Sequence, residues 1–409
     1  MSRYTGAPGV KVASPASIRE VNRSILLRLI RKHQPVSRAE LARITGFFRS
    51  TVSSILDEFL ADSLVTEEPR KTRSRGRSSL SLHLNNDSYR VLGLSIRPTE
   101  CKLAYAGLSG HIQKTWSFVT PSKPEQLVQQ AGNAMAQAAR EIGLRGTETF
   151  QRIGISVPGL VDARGKILWT PTHPELTDFP LSERIEADTG VAAVAENDAD
   201  ACALSELWLT DGDPISARPD FVLLNVGDFG AGCGVVIDGH IYFGHNGQFA
   251  GEFGHMVTEA SSKEVCRCGR RGCWELFVTN QATWRRYRPR SSFRAERFEE
   301  MLTLAQMGDT AALRAVREMA DHLALGLSNI GFALNPAEIV ISGRIARAWN
   351  LIRPALEHAH RAPQLRYRVR VARLGDDDLM LHGAVCLALR EKFAIPRFGE
   401  NGRPLEITA

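Results

Sequence analysis

The feature that most constrains the fold is a repeat in the order of the predicted elements. Three strand-like runs, a helix and a further strand are predicted at residues 91–96, 102–106, 111–119, 124–144 and 153–157. The same order returns at residues 221–226, 234–237, 240–243, 310–332 and 338–342. Strands that alternate with helices indicate an α/β fold, and a repeated unit predicts two similar lobes. A cleft between two such lobes is a usual place for a small ligand.

The segment before this repeat differs from it in charge. The chain has 409 residues and a formal net charge of +6, and residues 1–90 contain 16 Lys and Arg against 8 Asp and Glu. The remaining residues contain 35 Lys and Arg against 37 Asp and Glu. A basic segment attached to a near-neutral body suggests binding to nucleic acid, whereas a solvated basic tail would produce the same imbalance.

Residues 15–85 are predicted to form three helices and a basic hairpin. An apolar stripe marks the first helix, which Pro35 ends, and Ser37 and Glu40 have the spacing of a capping box that starts the second. The apolar positions of the third helix follow the i, i+3, i+4, i+7, i+8 pattern of one buried face. The two hairpin strands are predicted at residues 64–66 and 80–84. This order of elements is typical of a winged helix-turn-helix.

The third helix of a helix-turn-helix buries its apolar stripe and turns its other face into the major groove of DNA. Here that face carries an arginine and short hydroxyl side chains, which can bind phosphates or base edges. The predicted DNA-binding residues are Arg38, Arg49, Ser50, Thr51, Ser53, Arg73, Arg75 and Arg77. A helical protein-interaction domain would also expose a polar face, but the basic hairpin beside the helix favours DNA.

Three of the seven cysteines, Cys266, Cys268 and Cys273, lie within eight residues on a loop that contains glycines. Zn²⁺ prefers four tetrahedral nitrogen or sulfur ligands in a closed structural site. His255 is the simplest fourth ligand, and His245 is an alternative because it is also near in sequence. We therefore predict one structural zinc ion per chain, since exposed, unliganded thiols in a cluster would oxidise. The four scattered cysteines are expected to be core residues in a reducing cytoplasm.

These residues resemble the ROK family, whose name joins repressors, open reading frames and sugar kinases. The resemblance covers nearly the whole chain through the motifs at residues 22, 37–41, 45–46, 50–53, 76–77, 157–159, 196–199, 251–255 and 266–275. It implies a winged helix-turn-helix followed by an actin-like, ribonuclease-H-like pair of lobes, with His255 joining the three cysteines on zinc. It also implies that sugar hydroxyls are bound by Asn197, Asp198, Glu252, His255 and Glu275.

The residue types agree with that implied role, because sugar hydroxyls both donate and accept hydrogen bonds and suit converging carboxylates and amides. In the kinases of the family, the residue at Asp198 is also the base that activates the attacking hydroxyl. Asn197 and Asp198 alone would indicate no more than a turn or a helix cap.

Several positions depart from the pattern of the kinases. Their first phosphate loop reads Asp-x-Gly-Gly-Thr, whereas Ser95, Arg97 and Pro98 replace its carboxylate and its two glycines here. Proline has no N–H for a phosphate, so we expect ATP use to be impaired. In the second loop, Asp228 and Phe229 occupy positions that favour Gly and Thr.

Two further departures affect detail. Phe48 stands where the family usually has a helix-capping serine. Residues 172–175 replace a segment that usually offers an asparagine to the sugar, so the ligand is expected to differ from the common ones.

The predicted organisation is a disordered N-terminus at residues 1–14, a winged helix-turn-helix at 15–85, a first lobe at 86–197 and 380–409, and a second lobe with the zinc loop at 198–379. No apolar run approaches the ~18 residues that a membrane span needs, so a cytoplasmic protein is expected. Helix-turn-helix proteins read palindromes as pairs, which predicts a homodimer or a dimer of dimers on operator DNA.

The predicted function is a sugar-responsive transcriptional regulator, a repressor, that binds operator DNA and a sugar or sugar derivative and is not an enzyme. One alternative is an active ATP-dependent ROK sugar kinase with an attached DNA-binding domain. Another is a regulator whose cleft is empty and whose input is a partner protein. An arginine run at residues 285–297 either adds DNA or phosphate contacts or forms a solvated face.

Overall fold

The computed structural model describes residues 15–69, 80–145, 149–210, 220–244, 250–288, 295–358 and 367–394. The chain divides into two compact units. The first comprises the described residues up to Arg90, Gly107–His111 and the described residues from Leu389 onward, and the second comprises Val91–Ala106 and the described residues of Ile112–Ala388. Within the described ranges, no helix combines the length and the apolar character that crossing a membrane requires. The predicted domain boundaries stay predictions, and the predicted disorder of residues 1–14 lies outside the described residues.

The first unit contains the three helices and two strands that the sequence predicts. Their bounds are α1 (Pro15–His33), α2 (Arg38–Thr45), α3 (Arg49–Ala61), β1 (Val65–Pro69) and β2 (Leu80–Leu84). The Ser37 side chain accepts from the Glu40 N–H while the Glu40 carboxylate accepts from the Ser37 N–H, which is the predicted capping box. Gly46 ends α2 in the left-handed conformation, where glycine has no steric cost.

The core of this unit follows the predicted apolar stripes. The three helices bury Leu26, Ile30, Leu41, Ile55 and Phe59 almost completely. Strands β1 and β2 are antiparallel, with Val65 opposite Leu84, and β1 extends to Pro69, three residues beyond its predicted end.

The second unit begins with a five-stranded sheet. Its elements are β3 (Val91–Ile96), β4 (Glu100–Ala106), β5 (Ile112–Val119), α4 (Pro124–Glu141), β6 (Arg152–Val157), a small hairpin of β7 (Leu160–Val161) and β8 (Ile167–Trp169), α5 (Leu181–Thr189) and β9 (Ala192–Asn197). The strand order is β5-β4-β3-β6-β9, and β6 and β9 are parallel to β3.

A second five-stranded sheet repeats this arrangement. Its elements are α6 (Asp198–Thr210), β10 (Phe221–Val226), β11 (Ala231–Ile237), β12 (His240–Ile241), α7 (Glu275–Val278), α8 (Asn280–Arg286), α9 (Phe298–Gln306), α10 (Thr310–Leu334), β13 (Glu338–Gly343), α11 (Trp349–His358), β14 (Arg368–Val371) and α12 (Asp376–Phe393). The strand order is β12-β11-β10-β13-β14, which matches the first sheet strand for strand. The predicted repeat is therefore present, with a fifth strand in each sheet that the sequence analysis did not predict.

Two glycines bring the last helix directly onto the first sheet. A Cβ at Gly154 would lie 2.0 Å from the Ala384 carbonyl oxygen, and a Cβ at Gly93 would lie 2.7 Å from the Val385 nitrogen. Any larger residue at these two positions would push α12 away. This close packing fixes the start of α12, at Asp376, beside the carboxyl ends of the strands of the first sheet.

Candidate functional site

One pocket in the second unit brings together all five residues that the family resemblance implies for sugar binding. Its lining includes Asn197, Asp198, Glu252, His255 and Glu275. They come from three separate parts of the chain, namely the junction of β9 and α6, the segment 251–255, and the start of α7. The pocket thus has converging carboxylate, amide and imidazole groups, which can both accept and donate hydrogen bonds.

Hydrogen bonds to nearby backbone groups use most of the polar atoms of the Asn197 side chain. Its Oδ1 accepts from the backbone N–H groups of Ala199 at 2.8 Å and Asp200 at 3.2 Å, which caps the start of α6. Its Nδ2 donates to the Gly159 carbonyl at 2.7 Å. One amide hydrogen is left to face a ligand, so Asn197 serves first to hold the neighbouring Asp198 in place.

Two carboxyl groups of the pocket are harder to ionise than usual. Burial, reinforced by the charges of Asp376 and Glu252, raises the pKa of Asp198 to about 7. Burial and the charge of Glu275 raise the pKa of Glu252 to about 7. Near neutral pH each group is therefore a mixture of acid and carboxylate, and each can either donate to a sugar hydroxyl or accept from one.

Glycines position the segment that carries Glu252 and His255. Gly251 has φ +79°, and a Cβ there would lie 1.9 Å from the Cys233 carbonyl oxygen. A Cβ at Gly254 would lie 2.2 Å from the Ala231 carbonyl oxygen. The segment therefore rests directly against the backbone of β11, and this close approach aims both polar side chains into the pocket.

The predicted metal ligands form one cluster. A ligand atom from each of His255, Cys266, Cys268 and Cys273 lies within 4.8 Å of the others. The Cys268 and Cys273 sulfurs are 3.6 Å apart, and the Cys266 sulfur is 3.5 Å from Nδ1 of His255. Three sulfurs and one imidazole nitrogen at such separations fit a single tetrahedral ion. His245, the alternative ligand, lies outside the described residues.

Glu275 joins this cluster to the pocket. The Cys266 thiol donates to its Oε1 at 2.9 Å, and Nδ1 of His255 is 3.7 Å from the same oxygen. Burial raises the pKa of the Cys266 thiol, and the hydrogen bond to Glu275 acts in the same direction.

A buried tryptophan next to Glu275 anchors this end of the loop. Trp274 is fully buried and donates to the His322 carbonyl of α10 at 2.7 Å. Its ring occupies the space where a Cβ at Gly326 would lie, 2.0 Å from the ring carbon Cε2. The loop is thereby fixed on α10, and the position of the Glu275 carboxylate follows from that anchor.

An arginine of the cysteine loop reaches the opposite side of the pocket. Nη1 of Arg267 donates to the Pro171 carbonyl at 3.0 Å, and its guanidinium lies 5.1 Å from the centre of the Phe229 ring. Pro171 and Phe229 both line the pocket. The loop therefore contacts two separate parts of the pocket wall, one at Pro171 and one at Phe229.

The pocket lining also contains the positions that depart from the kinase pattern, and the charges of these positions are paired within the chain. We call this set, Arg97, Asp228 and Arg344, the phosphate-loop end, and the set of Asp198, Glu252 and Glu275 the sugar end. Arg97 lines this end; its Nη2 donates to Asp376 at 3.2 Å and its Nη1 contacts Asp377. Arg344 contacts both Asp228 oxygens at 3.0 and 3.1 Å, and Glu299 at 2.7 Å.

The lining residues that the sequence analysis missed include Trp169, Arg344 and Asp376. Asp376 begins an Asp-Asp-Asp run at the start of α12, and this acidic run was the available signal. Nothing in the sequence pattern marks Arg344 or Trp169. Of the altered segment 172–175, Thr172 lines the pocket and His173 is buried.

The predicted DNA-binding residues differ in their exposure and in their contacts within the chain. Arg49 and Ser50 are exposed at the start of α3, whereas Thr51 and Ser53 are half-buried. Arg38 donates to Glu67 and Asp57 at 2.7 and 2.8 Å, so it is held within its own unit. The predicted residues Arg73, Arg75 and Arg77 lie outside the described residues.

The arginine run at residues 285–297 is described only in part. Arg286 donates to the carbonyls of Phe277 and Leu276 at 2.8 and 3.4 Å, and Arg297 pairs with Glu300 at 3.0 Å. These two arginines have structural partners within the chain.

Comparisons with known proteins agree with the architecture. The sequence pattern that defines the ROK family matches residues 91–391. A xylose repressor of Bacillus subtilis (strain 168) is 28% identical over 349 residues, which cover 83% of this chain and 86% of that protein.

Two solved structures are similar over different shares of the chain. A ROK family transcriptional regulator, described as a homologue of the E. coli MLC protein, has a TM-score of 0.75 and 22% identity, and the match covers 92% of this chain and 98% of that one. A ROK hexokinase from Thermus thermophilus has a TM-score of 0.60 and 29% identity over 74% of this chain and 99% of its own. The regulator thus matches the larger share.

Proposed function

The chain belongs to the ROK family, and we propose that it is a sugar-responsive transcriptional regulator that acts as a repressor. The observation that carries this proposal is the contrast within one pocket. Asp198, Glu252 and Glu275 converge at one end, as a polyhydroxy ligand requires, while the arginines at the other end are paired with carboxylates of the chain. The likeness to a xylose repressor supports a sugar or sugar derivative as the ligand.

The first unit would supply the DNA interface as a winged helix-turn-helix. Helix α3 would enter the major groove with Arg49 and Ser50 toward the bases, because the N-terminal residues of a recognition helix contact base edges. Thr51 and Ser53 would contact phosphates or bases from the same helix. A two-fold pair of chains would read a palindromic operator.

The cysteine cluster would hold one structural zinc ion. Its ligands would be His255, Cys266, Cys268 and Cys273, whose spacing fits that ion. When bound, zinc would supply a fixed tetrahedral cross-link and no open coordination position. The chain's own contribution is to join this cluster to Glu275 through the backbone, since Cys273 is followed by the anchored Trp274 and then by Glu275, so that the loop orients a carboxylate of the sugar site.

A second candidate function is an ATP-dependent sugar kinase. One observation favours it: Asp198 has a pKa of about 7, which suits a general base near neutral pH. Phosphoryl transfer, however, depends on groups that hold the nucleotide phosphates. Pro98 has no N–H to offer, and Arg97 would have to leave Asp376 and Asp377 before it could bind a phosphate.

Selection of DNA by the full chain tests the regulator proposal. The protein is expected to enrich one palindromic sequence from a random duplex pool, and Arg49→Ala is expected to weaken binding to it by about 1–3 kcal/mol. One member of a panel of pentoses, hexoses and amino sugars should change the Kd for that duplex ~5–150-fold.

A coupled assay with ATP, Mg²⁺ and the same sugars should show no turnover near the ~1–100 s⁻¹ usual for kinases. Turnover at that rate without selective DNA binding would establish the kinase instead.

A further inference from the structure

Phe48 is an apolar side chain that the described residues leave almost uncovered. Its exposed fraction is 83%, the highest among the large hydrophobic side chains of the described residues. It occupies the N-cap position of α3 and makes no capping hydrogen bond with its side chain. Serine, threonine, aspartate and asparagine are strongly preferred at such a position. Phe48 therefore neither caps its helix nor packs in a core.

The backbone on both sides of Phe48 is fixed. Gly46 ends α2 with a hydrogen bond from its N–H to the Ala42 carbonyl at 2.9 Å, and the Phe47 N–H donates to Thr45 Oγ1 at 3.2 Å. The Phe48 carbonyl accepts from the Val52 N–H at 3.1 Å, which is the first hydrogen bond of α3. The ring is thus presented to solvent from a defined turn.

The neighbours of Phe48 indicate what it meets. Arg49 and Ser50 follow it in the first turn of α3, and both are exposed. Further along α3, the side chains of Val52 and Ile55 are buried. Phe48 therefore lies at the end of the helix that approaches base edges in a helix-turn-helix complex. The net positive charge of residues 1–90 favours duplex DNA over an apolar protein surface as the partner.

The major groove presents one apolar group on its base edges, the 5-methyl group of thymine, and apolar side chains including phenylalanine recognise it by contact. We propose that Phe48 contacts a thymine methyl group next to the bases that Arg49 reaches, and so makes operator choice depend on thymine. This inference rests on the proposed function, since it assumes that α3 reads DNA.

The test uses full-length protein and the duplex that it selects from a random pool. Each thymine common to the selected sequences is replaced by uracil, which removes only the methyl group. At one thymine position in each half-site, the change to uracil should weaken wild-type binding. The loss should be ~4-fold when one half-site is changed and ~15-fold when both are changed. Phe48→Ala should bind the thymine and uracil duplexes equally, and Phe48→Leu should keep part of the difference. Met307→Ala is the matched control and should keep the wild-type difference between the two duplexes, because Met307 is 79% exposed and lies in the other unit.

The outcomes separate this inference from the function on which it rests. If Phe48→Ala keeps the full difference between thymine and uracil, or if the wild type shows none at any common thymine, the role of Phe48 is overturned while the regulator proposal stands. If the wild type selects no sequence at all, the regulator proposal itself fails, and the role of Phe48 fails with it.

Discussion

The two ends of the pocket differ in how their charges are balanced. At the sugar end, burial and neighbouring carboxylates raise the pKa of Asp198 and the pKa of Glu252 to about 7. At the phosphate-loop end, Arg97 and Arg344 each contact two carboxylate side chains. A group that is poorly satisfied by its own chain gains most from a ligand, whereas a paired arginine must first lose its partners. The cleft can therefore keep a ligand at one end and exclude nucleotide at the other.

The largest effect is expected from Glu275→Ala, which removes a carboxylate from the sugar end. Hydrogen bonds to charged groups contribute ~1.5–3 kcal/mol, so the affinity for the responsive sugar should fall ~10–100-fold. Titration calorimetry measures this affinity.

Arg344→Ala at the phosphate-loop end is the matched control and should change the sugar affinity less than about threefold, because its partners Asp228 and Glu299 belong to the other end. Equal losses in the two variants would show that the ends do not act separately. Zinc content should be compared in both, since Glu275 also contacts Cys266.

Much of this contrast between the two ends can be predicted from the sequence, because the residues that form each motif lie close together along the chain. Gly251, Glu252 and His255 lie in one short segment, and Cys266 to Glu275 in another, so their spacing along the chain already constrains their spacing in the fold. The replacement of glycine by Arg97 and Pro98 is likewise a local signal.

The partners of the arginines could not be predicted in the same way. Arg97 meets Asp376 across 279 positions, and Arg344 meets Asp228 across 116. These pairs depend on how α12 packs on the first sheet and on the pairing of β10 with β13, which places Val226 opposite Gly343 and which no short pattern encodes. The fifth strands β9 and β14 were missed because their own sequences are weak strand patterns: β9 has three alanines and two polar residues among six, and β14 has four residues of which two are arginine.

The second expected effect concerns the link between the cysteine cluster and the sugar end. Cys268→Ser should reduce bound zinc from about one equivalent to a small fraction, because three ligands hold zinc poorly. Sugar affinity should fall ~10-fold, since the loop that orients Glu275 and Arg267 loses its cross-link.

Metal analysis measures the bound zinc, and calorimetry on the same preparation measures the sugar affinity. The matched control is Cys101→Ser, which changes a buried cysteine outside the cluster. A zinc-free Cys268→Ser protein with undiminished sugar affinity would mean that the Trp274 anchor alone holds Glu275.

A smaller effect is expected when the phosphate-loop end is partly restored. The double variant Arg97→Gly, Pro98→Gly supplies one N–H and releases Asp376 and Asp377 from their partner. ATP binding should tighten ~3–10-fold over the wild type, about the contribution of one hydrogen bond. Turnover should stay absent because Ser95 still replaces the loop carboxylate.

Equilibrium dialysis with labelled ATP and Mg²⁺ measures this change. Sugar affinity is measured beside it, because the charge of the released Asp376 acts on Asp198. Wild-type protein that already binds ATP as tightly as the double variant would contradict the comparison between the two ends.

The smallest effect is a dependence of stability on pH that belongs to the sugar end. The pKa of Asp198 is about 7 in the folded chain, against 3.8 as its ordinary value. Between about pH 4 and pH 7 the folded state therefore holds a proton that the unfolded state has lost, and stability falls as pH rises through this window. Asp198→Asn cannot titrate, so its Tm relative to the wild type should rise across the window and stay constant above it. The expected rise is about 2–4 °C, or ~1 kcal/mol, because Asp198 is half-buried and solvent screens much of the effect of the pKa shift. The hydrogen bond from the Ala199 N–H to Asp198 Oδ1, at 3.0 Å, adds an offset that does not vary within the window, so the slope is the quantity to measure. A difference in Tm that stays flat from pH 4 to 8 would mean that water reaches Asp198 freely, and the sugar end would then lack the poorly satisfied carboxyl that distinguishes it from the phosphate-loop end.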